Sequence, residues 1–272
     1  MAKKFIILSS GYINGRRLAI GFEKLGIDFE IVTICYELPK KKPHQSLVKF
    51  GKDYLLSYIK SIYILRKFAQ RKLPRFPKKV RYAGFCNGLK LKKILSELNP
   101  DYIFMMGGGI LSNEIIRLAK IGVLNSHPGL LPWIRGVHVI ENAILRNTPI
   151  GITCHFIDIG IDTGPIINRY VLPLAEKETL IDLIEKANLL ECCAMLELAE
   201  NILHNNPINK IIQEKKYKYC SKLKISDLEN VNNKIEAGEP QFNLLNWSQI
   251  LNENKIHDGN ECINKYSNLI LT

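Results

Sequence analysis

Residues 102–127 read YIFMMGGGILSNEIIRLAKIGVLNSH. The stretch begins and ends with short apolar runs, Tyr102–Met106 and residues 123–126, that are typical of buried strands. Between them, residues 113–120 carry apolar side chains at helical spacing. A strand, a helix and a second strand in this order form a crossover unit, whose two strands run parallel. The stretch therefore predicts a parallel sheet covered by helices.

The same alternation continues on both sides of this unit. Further strands are predicted at residues 3–9, 29–33, 151–157 and 166–171, and further helices at 14–25, 89–98, 138–145 and 179–205. Strands that alternate with helices place the chain in the α/β class. We predict a Rossmann-like, mostly parallel sheet with helices on both faces.

Two segments differ from this pattern. Residues 209–272 are rich in Asn, Lys and Ile with weak periodicity, and predict a small irregular C-terminal appendage that is helical only near 226–235. Residues 40–81 contain fourteen Lys or Arg and one acid, Asp53. Apolar residues at steps of three and four predict a basic helical insertion at about 45–80. Its positive charge suits binding to a polyanion. The alternative is that the basic side chains simply cover a solvent-exposed helix face.

Composition narrows the class of protein. The 272 residues, 46% hydrophobic, suffice for one main domain, residues 1–208, and an extension, 209–272. No apolar run is long enough for a transmembrane helix and no signal peptide is recognisable, so we expect a cytoplasmic protein. The seven cysteines lack CxxC or zinc-site spacing, which predicts reduced, mostly buried thiols and no metal.

Polar residues gather at the predicted carboxyl ends of strands, where open α/β sheets bind ligands. Gly107, Gly108 and Gly109 follow one strand and would let a flat ligand contact the backbone, although a tight turn also explains them. Asn125 and His127 alternate to one face of another strand. An amide donor beside an imidazole suits acyl chemistry, because the amide stabilises a developing oxyanion while the imidazole moves a proton.

A third polar segment is an acidic loop between two predicted strands. Asp162 lies at its turn, where a carboxylate can orient a neighbouring imidazole and stabilise its protonated form. The alternative is an Asp-Thr-Gly turn in which the carboxylate bonds only to its own backbone.

Together these segments resemble a known family. NSHPGLLP at 125–132, Gly136, and DIGIDTGPII at 158–167 match the folate-dependent formyltransferases in order, spacing and type, over residues 3–205. That family includes glycinamide ribonucleotide transformylase, methionyl-tRNA formyltransferase, a folate hydrolase and the N-formyltransferases of nucleotide-linked amino sugars.

The resemblance implies the site and the reaction. Asn125, His127 and Asp162 match the catalytic set of the family, with 10-formyltetrahydrofolate as formyl donor and no metal. Asn125 and protonated His127 would stabilise the oxyanion, and Asp162 would tune His127 and help to move the amine proton. The residues implied in pterin binding are Gly108, Gly109, Ile110, Leu111, Asp158, Ile159 and Gly160.

The expectation for the acceptor amine depends on where this sequence differs from individual members of the family. Residues 10–17, SGYINGRR, differ from the phosphate loop of glycinamide ribonucleotide transformylase, and residues 209–272 are short for the C-terminal barrel of methionyl-tRNA formyltransferase. The hydrolase would carry a preceding regulatory domain. The overall plan is most similar to the amino-sugar enzymes, with phosphate near the residues Gly11, Asn14, Arg16 and Arg17.

Alternatives stay open at this point. Glycinamide ribonucleotide or methionyl-tRNA could be the acceptor, and a non-catalytic binding module on the same fold is the alternative of another class. Expected partners are a phosphate-bearing small amine and, for the assembly, a second copy of the chain in a homodimer; RNA is disfavoured. If His127 faces a cleft, we expect His127→Ala to lower turnover and leave the fold intact.

Overall fold

A computed structural model describes residues 3–11, 13–35, 74–213, 217–240 and 246–271. Most of the predicted basic insertion at about 45–80 lies outside these ranges, so its helical character stays a prediction. The described strands are β1 (Phe5–Ser9), β2 (Phe29–Cys35), β3 (Val80–Phe85), β4 (Tyr102–Met106), β5 (Gly122–His127), β6 (Gly151–Phe156), β7 (Ile166–Val171) and β8 (His257–Asp258). The described helices are α1 (Ile13–Lys24), α2 (Leu89–Leu98), α3 (Asn113–Ile116), α4 (Val139–Leu145), α5 (Leu180–Leu203), α6 (Ile225–Glu236), α7 (Ser248–Glu253) and α8 (Gly259–Ile270).

The described strands form one mixed sheet. Their order is β3-β2-β1-β4-β5-β6-β7-β8. The β3–β2, β2–β1, β1–β4, β4–β5 and β7–β8 pairs are parallel, whereas the β5–β6 and β6–β7 pairs are antiparallel. The predicted Rossmann-like, mostly parallel sheet is confirmed. The strand order reverses between β1 and β4, so a crevice opens at their carboxyl ends, as in other open α/β sheets.

Alternation along β1 explains why both faces of the sheet are covered. Phe5 and Ile7 belong to one buried cluster with α1, α5 and α8, whereas Ile6 and Leu8 belong to another with α2 and α3. Side chains of a strand point alternately to opposite faces. The unbroken apolar run over the first four positions of β1, which precedes the buried Ser9, is therefore typical of a central strand that is buried on both sides.

Two elements before residue 209 differ from the sequence expectations. Strand β3 was not predicted, because as the edge strand of the sheet it leaves Arg81, Tyr82 and Phe85 exposed and shows no clear apolar alternation. The helix predicted at 113–120 ends at Ile116. The chain continues in tighter turns, since the Leu118 N–H donates to the Ile115 carbonyl three residues back.

The segment predicted as an irregular appendage is largely helical where it is described. Helix α8 buries Cys262, Tyr266 and Ile270 in the same cluster as α1 and α5, and β8 pairs with β7. Strand β8 has only two residues, and the Asn- and Lys-rich composition around α8 obscured an apolar stripe that does recur at helical spacing. The proposed division at residue 208 stays a prediction.

Two expectations from the composition can be compared with the structure. Six of the seven cysteines are buried and Cys35 is exposed, which confirms the mostly buried thiols. Within the described ranges, no helix combines the length and the hydropathy needed to cross a membrane.

One buried acid lies between α1 and α5. Glu191 is 6% exposed, and the Asn14 Nδ2 amide, which donates to Asn188 at 3.0 Å, lies 3.5 Å from its carboxylate. Burial raises the pKa of Glu191 from 4.5 to about 8. Desolvation disfavours the carboxylate, so the folded chain keeps this proton at neutral pH.

Glu191 should make stability fall as pH rises. Because its folded pKa lies above the unfolded one, the folded state binds the extra proton between about pH 4.5 and 8, and the free energy of unfolding decreases across that window. We expect Glu191→Gln to remove this decrease and to be the more stable protein at pH 8, by on the order of 3 kcal/mol. Thermal unfolding at pH 5 and 8 tests this, with the exposed Glu229→Gln as control. An equal difference at both pH values would contradict it.

Candidate active site

The crevice at the switch point begins where β4 ends. Gly107, Gly108 and Gly109 all adopt positive φ, at 75°, 135° and 91°. A Cβ on Gly108 would lie 2.5 Å from the Ile34 side chain, so only glycine fits there. The turn continues through Ile110, 62% exposed, to Leu111, which is buried. The glycines thus bring exposed backbone to the mouth of the crevice.

His127 is the last residue of β5 and is buried, at 4% exposure. Its Nε2 lies 3.0 Å from the Ile134 carbonyl oxygen, and its Nδ1 lies 3.7 Å from a carboxylate oxygen of Asp162. A carbonyl can only accept, so Nε2 carries the proton in the neutral ring. Nδ1 is then the atom that gains or loses a proton, and it faces Asp162.

Two opposing effects act on the His127 ring. Burial lowers its pKa below the ordinary value, while the Asp162 carboxylate acts in the opposite direction. The Ile134 carbonyl also favours the protonated ring, and Arg135 disfavours it. Asp162 is thus the main group that makes a protonated His127 accessible in a desolvated position.

Asp162 occupies a backbone conformation that is unusual for a residue other than glycine. Its φ is 54°, in the left-handed region, which Asp tolerates better than most side chains. The Gly136 N–H donates to its Oδ2 at 3.0 Å, and Arg135 donates to the Ile161 carbonyl at 3.3 Å. The loop is closed at Gly164, where a Cβ would lie 1.9 Å from the Phe156 carbonyl oxygen. Cross-loop hydrogen bonds therefore aim the carboxylate at His127.

Asn125 is oriented by a residue to which the sequence analysis gave no role. Its Nδ2 lies 3.2 Å from Nε2 of His155, whose Nδ1 donates to the Phe156 carbonyl at 2.8 Å. Because that carbonyl fixes the His155 proton on Nδ1, Nε2 must accept from Asn125. Burial, followed by the charge of His127, lowers the pKa of His155 to about 4. His155 therefore stays a neutral acceptor at neutral pH.

Strand pairing explains why His155 escaped notice. Asn125 and His155 are direct partners in the antiparallel β5–β6 register. They are 30 residues apart in the chain, and only the register of two strands makes them neighbours. The strand sequence GITCHF at 151–156 contains the histidine, but alternation within β6 does not identify its partner.

A cavity of about 90 Å³ joins these groups. Asn125, His155 and Asp162 line it; His127 does not, but its Nδ1 lies 3.7 Å from the Asp162 carboxylate. Its other lining residues are Met105, Gly109, Ile110, Leu111, Ile157, Asp158, Gly160 and Ile161. Within the acidic loop, the Asp158 carboxylate accepts from the Gly160 N–H at 3.0 Å and the Thr163 hydroxyl at 2.6 Å. The structure thus brings the three predicted catalytic residues and most of the predicted donor-binding residues to one place.

The predicted phosphate-binding residues are mostly engaged within the protein. Asn14 bonds to α5, and the Gly11 N–H donates to the Ser9 hydroxyl at 3.0 Å. The Arg16 guanidinium donates to the Gly11 and Pro74 carbonyls, each at 2.9 Å, and stacks over Phe76. Arg17 instead borders a second cavity, of about 320 Å³, between α1 and α5. Of the four residues, Arg17 is thus the best placed to meet a ligand.

The described part of the chain contains no group of three or more His, Cys, Asp or Glu side chains arranged to hold a metal ion. The polar side chains that line the cavity are the Asn125 amide, the His155 imidazole and the Asp158 and Asp162 carboxylates, and the His127 imidazole lies next to Asp162. This set suits proton transfer and oxyanion stabilisation.

Comparison with known proteins agrees with this geometry. Residues 87–198 match the family model described as Formyl transferase. Methionyl-tRNA formyltransferase of Flavobacterium psychrophilum is 35% identical over 121 residues, which are 44% of this chain and 38% of the relative. The chain therefore spans less than half of that relative.

Solved structures share the fold. A sugar N-formyltransferase from Shewanella sp FDAARGOS_354 superposes with a TM-score of 0.55 at 15% identity, covering 84% of this chain and 79% of that one. Glycinamide ribonucleotide transformylase 1 from Symbiobacterium toebii gives 0.53 at 18% identity, covering 77% and 94%. Both likenesses extend beyond the segment that matches the family model.

The His127–Asp162 pair predicts a measurable pKa change. Because the Asp162 carboxylate favours the protonated ring, we expect Asp162→Asn to lower the pKa of His127 further below its ordinary value. The amide can still accept from Gly136, so the loop should keep its shape. NMR titration of the His127 ring protons measures the change. Asp158→Asn, which removes a carboxylate bonded to Gly160 and Thr163, is the matched control. An unchanged His127 pKa in Asp162→Asn would refute the pairing.

Proposed function

We propose that this protein transfers a formyl group from 10-formyltetrahydrofolate to a primary amine, the amino group of a nucleotide-linked amino sugar. The observation that carries the formyl-transfer reaction is that Asn125 and Asp162 line one cavity and that Nδ1 of His127 lies 3.7 Å from the Asp162 carboxylate. An intact set of this kind argues against a non-catalytic binding module, which would have no need of it.

The roles of the three residues follow from their contacts. With one Nδ2–H directed at His155, Asn125 has a second N–H to donate to a carbonyl oxygen that becomes negative. His127, protonated at Nδ1 beside Asp162, would supply a positive charge that stabilises the oxyanion. As the acceptor nitrogen forms its bond to the formyl carbon and the bond to the folate nitrogen breaks, Asp162 would receive the amine proton and pass it towards the leaving nitrogen.

The cavity walls fit a flat heteroaromatic ring. Met105, Leu111 and Ile157 are apolar, and the Gly109–Ile110 backbone offers polar groups at the rim. The folate cosubstrate supplies the activated formyl carbonyl. The chain would hold its ring by backbone contacts at Gly108, Gly109, Ile110 and Leu111 on one side and by Asp158, Ile159 and Gly160 on the other.

The acceptor proposal depends on a different region of the molecule. Asn14 and Arg16 are engaged internally, so Arg17 is the remaining predicted cation for a substrate phosphate. It lines the second cavity with Lys186, which is paired with Glu178, and with the acids Asp182 and Glu185. The described residues after 209 are mainly helical rather than barrel strands. Both observations favour a phosphate-bearing small molecule.

His127→Gln should abolish most of the activity without unfolding the protein. The burial of His127 corrects the expectation that His127→Ala would leave packing intact, since alanine would open a space. Gln can still donate to the Ile134 carbonyl but cannot be protonated at the Nδ1 position. We expect kcat to fall at least about a hundredfold, with unchanged circular dichroism and thermal midpoint. The exposed His204→Gln serves as control. Near-normal turnover would contradict the role of His127.

An acceptor panel tests the substrate class. Tetrahydrofolate release is followed with 10-formyltetrahydrofolate and nucleotide-linked amino sugars, glycinamide ribonucleotide or methionyl-tRNA. We expect release with an amino sugar, and a raised KM for that acceptor in Arg17→Ala because a phosphate contact is lost. Turnover only with glycinamide ribonucleotide or methionyl-tRNA would replace the amino-sugar proposal. Silence throughout would count against formyl transfer.

A further inference from the structure

A short segment beyond the residues that match the family model crosses the acidic loop. We call residues 211–213 the crossing segment. Ile211 and Ile166 exchange both backbone hydrogen bonds at 2.8 Å, which adds an antiparallel bridge to the start of β7. This bridge fixes the position of the segment beside the loop that ends at β7.

Gln213 extends from the crossing segment to the backbone around Asp162. Its Nε2 donates to the Asp162 carbonyl at 3.1 Å and to the Gly164 carbonyl at 2.6 Å. A primary amide has two N–H bonds, one for each carbonyl. The two acceptors lie on either side of Thr163, so one side chain ties together both ends of the turn that presents Asp162.

The two hydrogen bonds from Gln213 matter because the turn has a backbone conformation that is unfavourable without supporting contacts. Asp162 has a φ of 54°, a conformation that costs free energy for a residue with a Cβ and persists only when surrounding contacts impose it. Gly136 holds the carboxylate and Arg135 holds the preceding carbonyl. Gln213 holds the backbone of Asp162 itself.

We propose that Gln213 is a positioning residue for the reaction, which sets the distance between the Asp162 carboxylate and Nδ1 of His127. Without it, the turn gains alternative conformations in which the carboxylate lies farther from the imidazole. The proposal rests on the formyl-transfer function for its catalytic meaning, but its structural content is independent of any substrate.

The charged groups around His127 determine how its pKa would change if the Asp162 carboxylate were displaced. Asp162 favours the protonated ring, whereas Arg135 opposes it, and the ring of His155 lies 6.4 Å away between centroids. Since His155 stays neutral, Asp162 and Arg135 are the charges that matter. Weakening the Asp162 contact therefore lowers the His127 pKa.

The experiment compares Gln213→Met with the wild type in the full chain. Methionine has nearly the same length and volume but no N–H, so it removes the two hydrogen bonds and keeps the packing. We expect the His127 pKa, measured by NMR without substrate, to fall in the same direction as in Asp162→Asn and by a smaller amount. With substrates, kcat should fall about ten- to a hundredfold while KM for 10-formyltetrahydrofolate stays near its original value.

Ile212→Ala is the matched control. This side chain lies in the same segment but is 76% exposed, so its loss should change neither the pKa nor kcat. Gln213→Asn, too short to reach both carbonyls, should fall between the wild type and Gln213→Met. An unchanged His127 pKa in folded Gln213→Met, or an equal shift in Ile212→Ala, would overturn the positioning role. A shifted pKa in a chain with no formyl transfer would instead refute the proposed function and leave the positioning role standing.

Discussion

The geometry of the candidate site depends on the hydrogen bond from the Gly136 N–H to the Asp162 carboxylate. This bond joins two loops that are 26 residues apart and sets a carboxylate oxygen 3.7 Å from Nδ1 of His127. The neighbouring Ile134 carbonyl binds the opposite nitrogen of the same ring. One loop thus determines both the tautomer of the imidazole and the position of its charged partner, which is how a buried histidine keeps access to its protonated form.

The C-terminal segment supports that loop from outside. Cys220 and the loop exchange backbone hydrogen bonds: its N–H donates to the Arg135 carbonyl at 2.7 Å, and its carbonyl accepts from Val137 at 3.1 Å. Tyr219 packs so closely on Gly136 that a Cβ there would lie 2.7 Å from its ring. Residues that the sequence divided between a domain and an extension therefore meet at the same loop, and the site draws on both.

Local patterns predicted a large part of this arrangement. Apolar runs identified the central strands, because strands buried on both faces must be apolar throughout. The motifs that contain Asn125, His127 and Asp162 predicted one site, and the structure places Asp162 3.7 Å from His127. Edge strand β3 was missed because an exposed edge shows no clear apolar alternation, and helix α8 was missed because an Asn- and Lys-rich composition obscured its apolar stripe. The assignment of Asn14 and Arg16 to phosphate did not anticipate their partners, Asn188 on α5 and the carbonyl of Pro74.

By itself, the sequence determined the α/β class and the chemical groups at the ends of its strands, because both follow from side-chain type and spacing along the chain. Only the tertiary structure decided which groups act on one another. The pairing of β5 with β6 put His155 beside Asn125, and the folding of the C-terminal segment put Gln213 on the backbone of Asp162. Hydrogen bonds and charge effects depend on distance in space, and for these pairs that distance is set by strand register and loop closure.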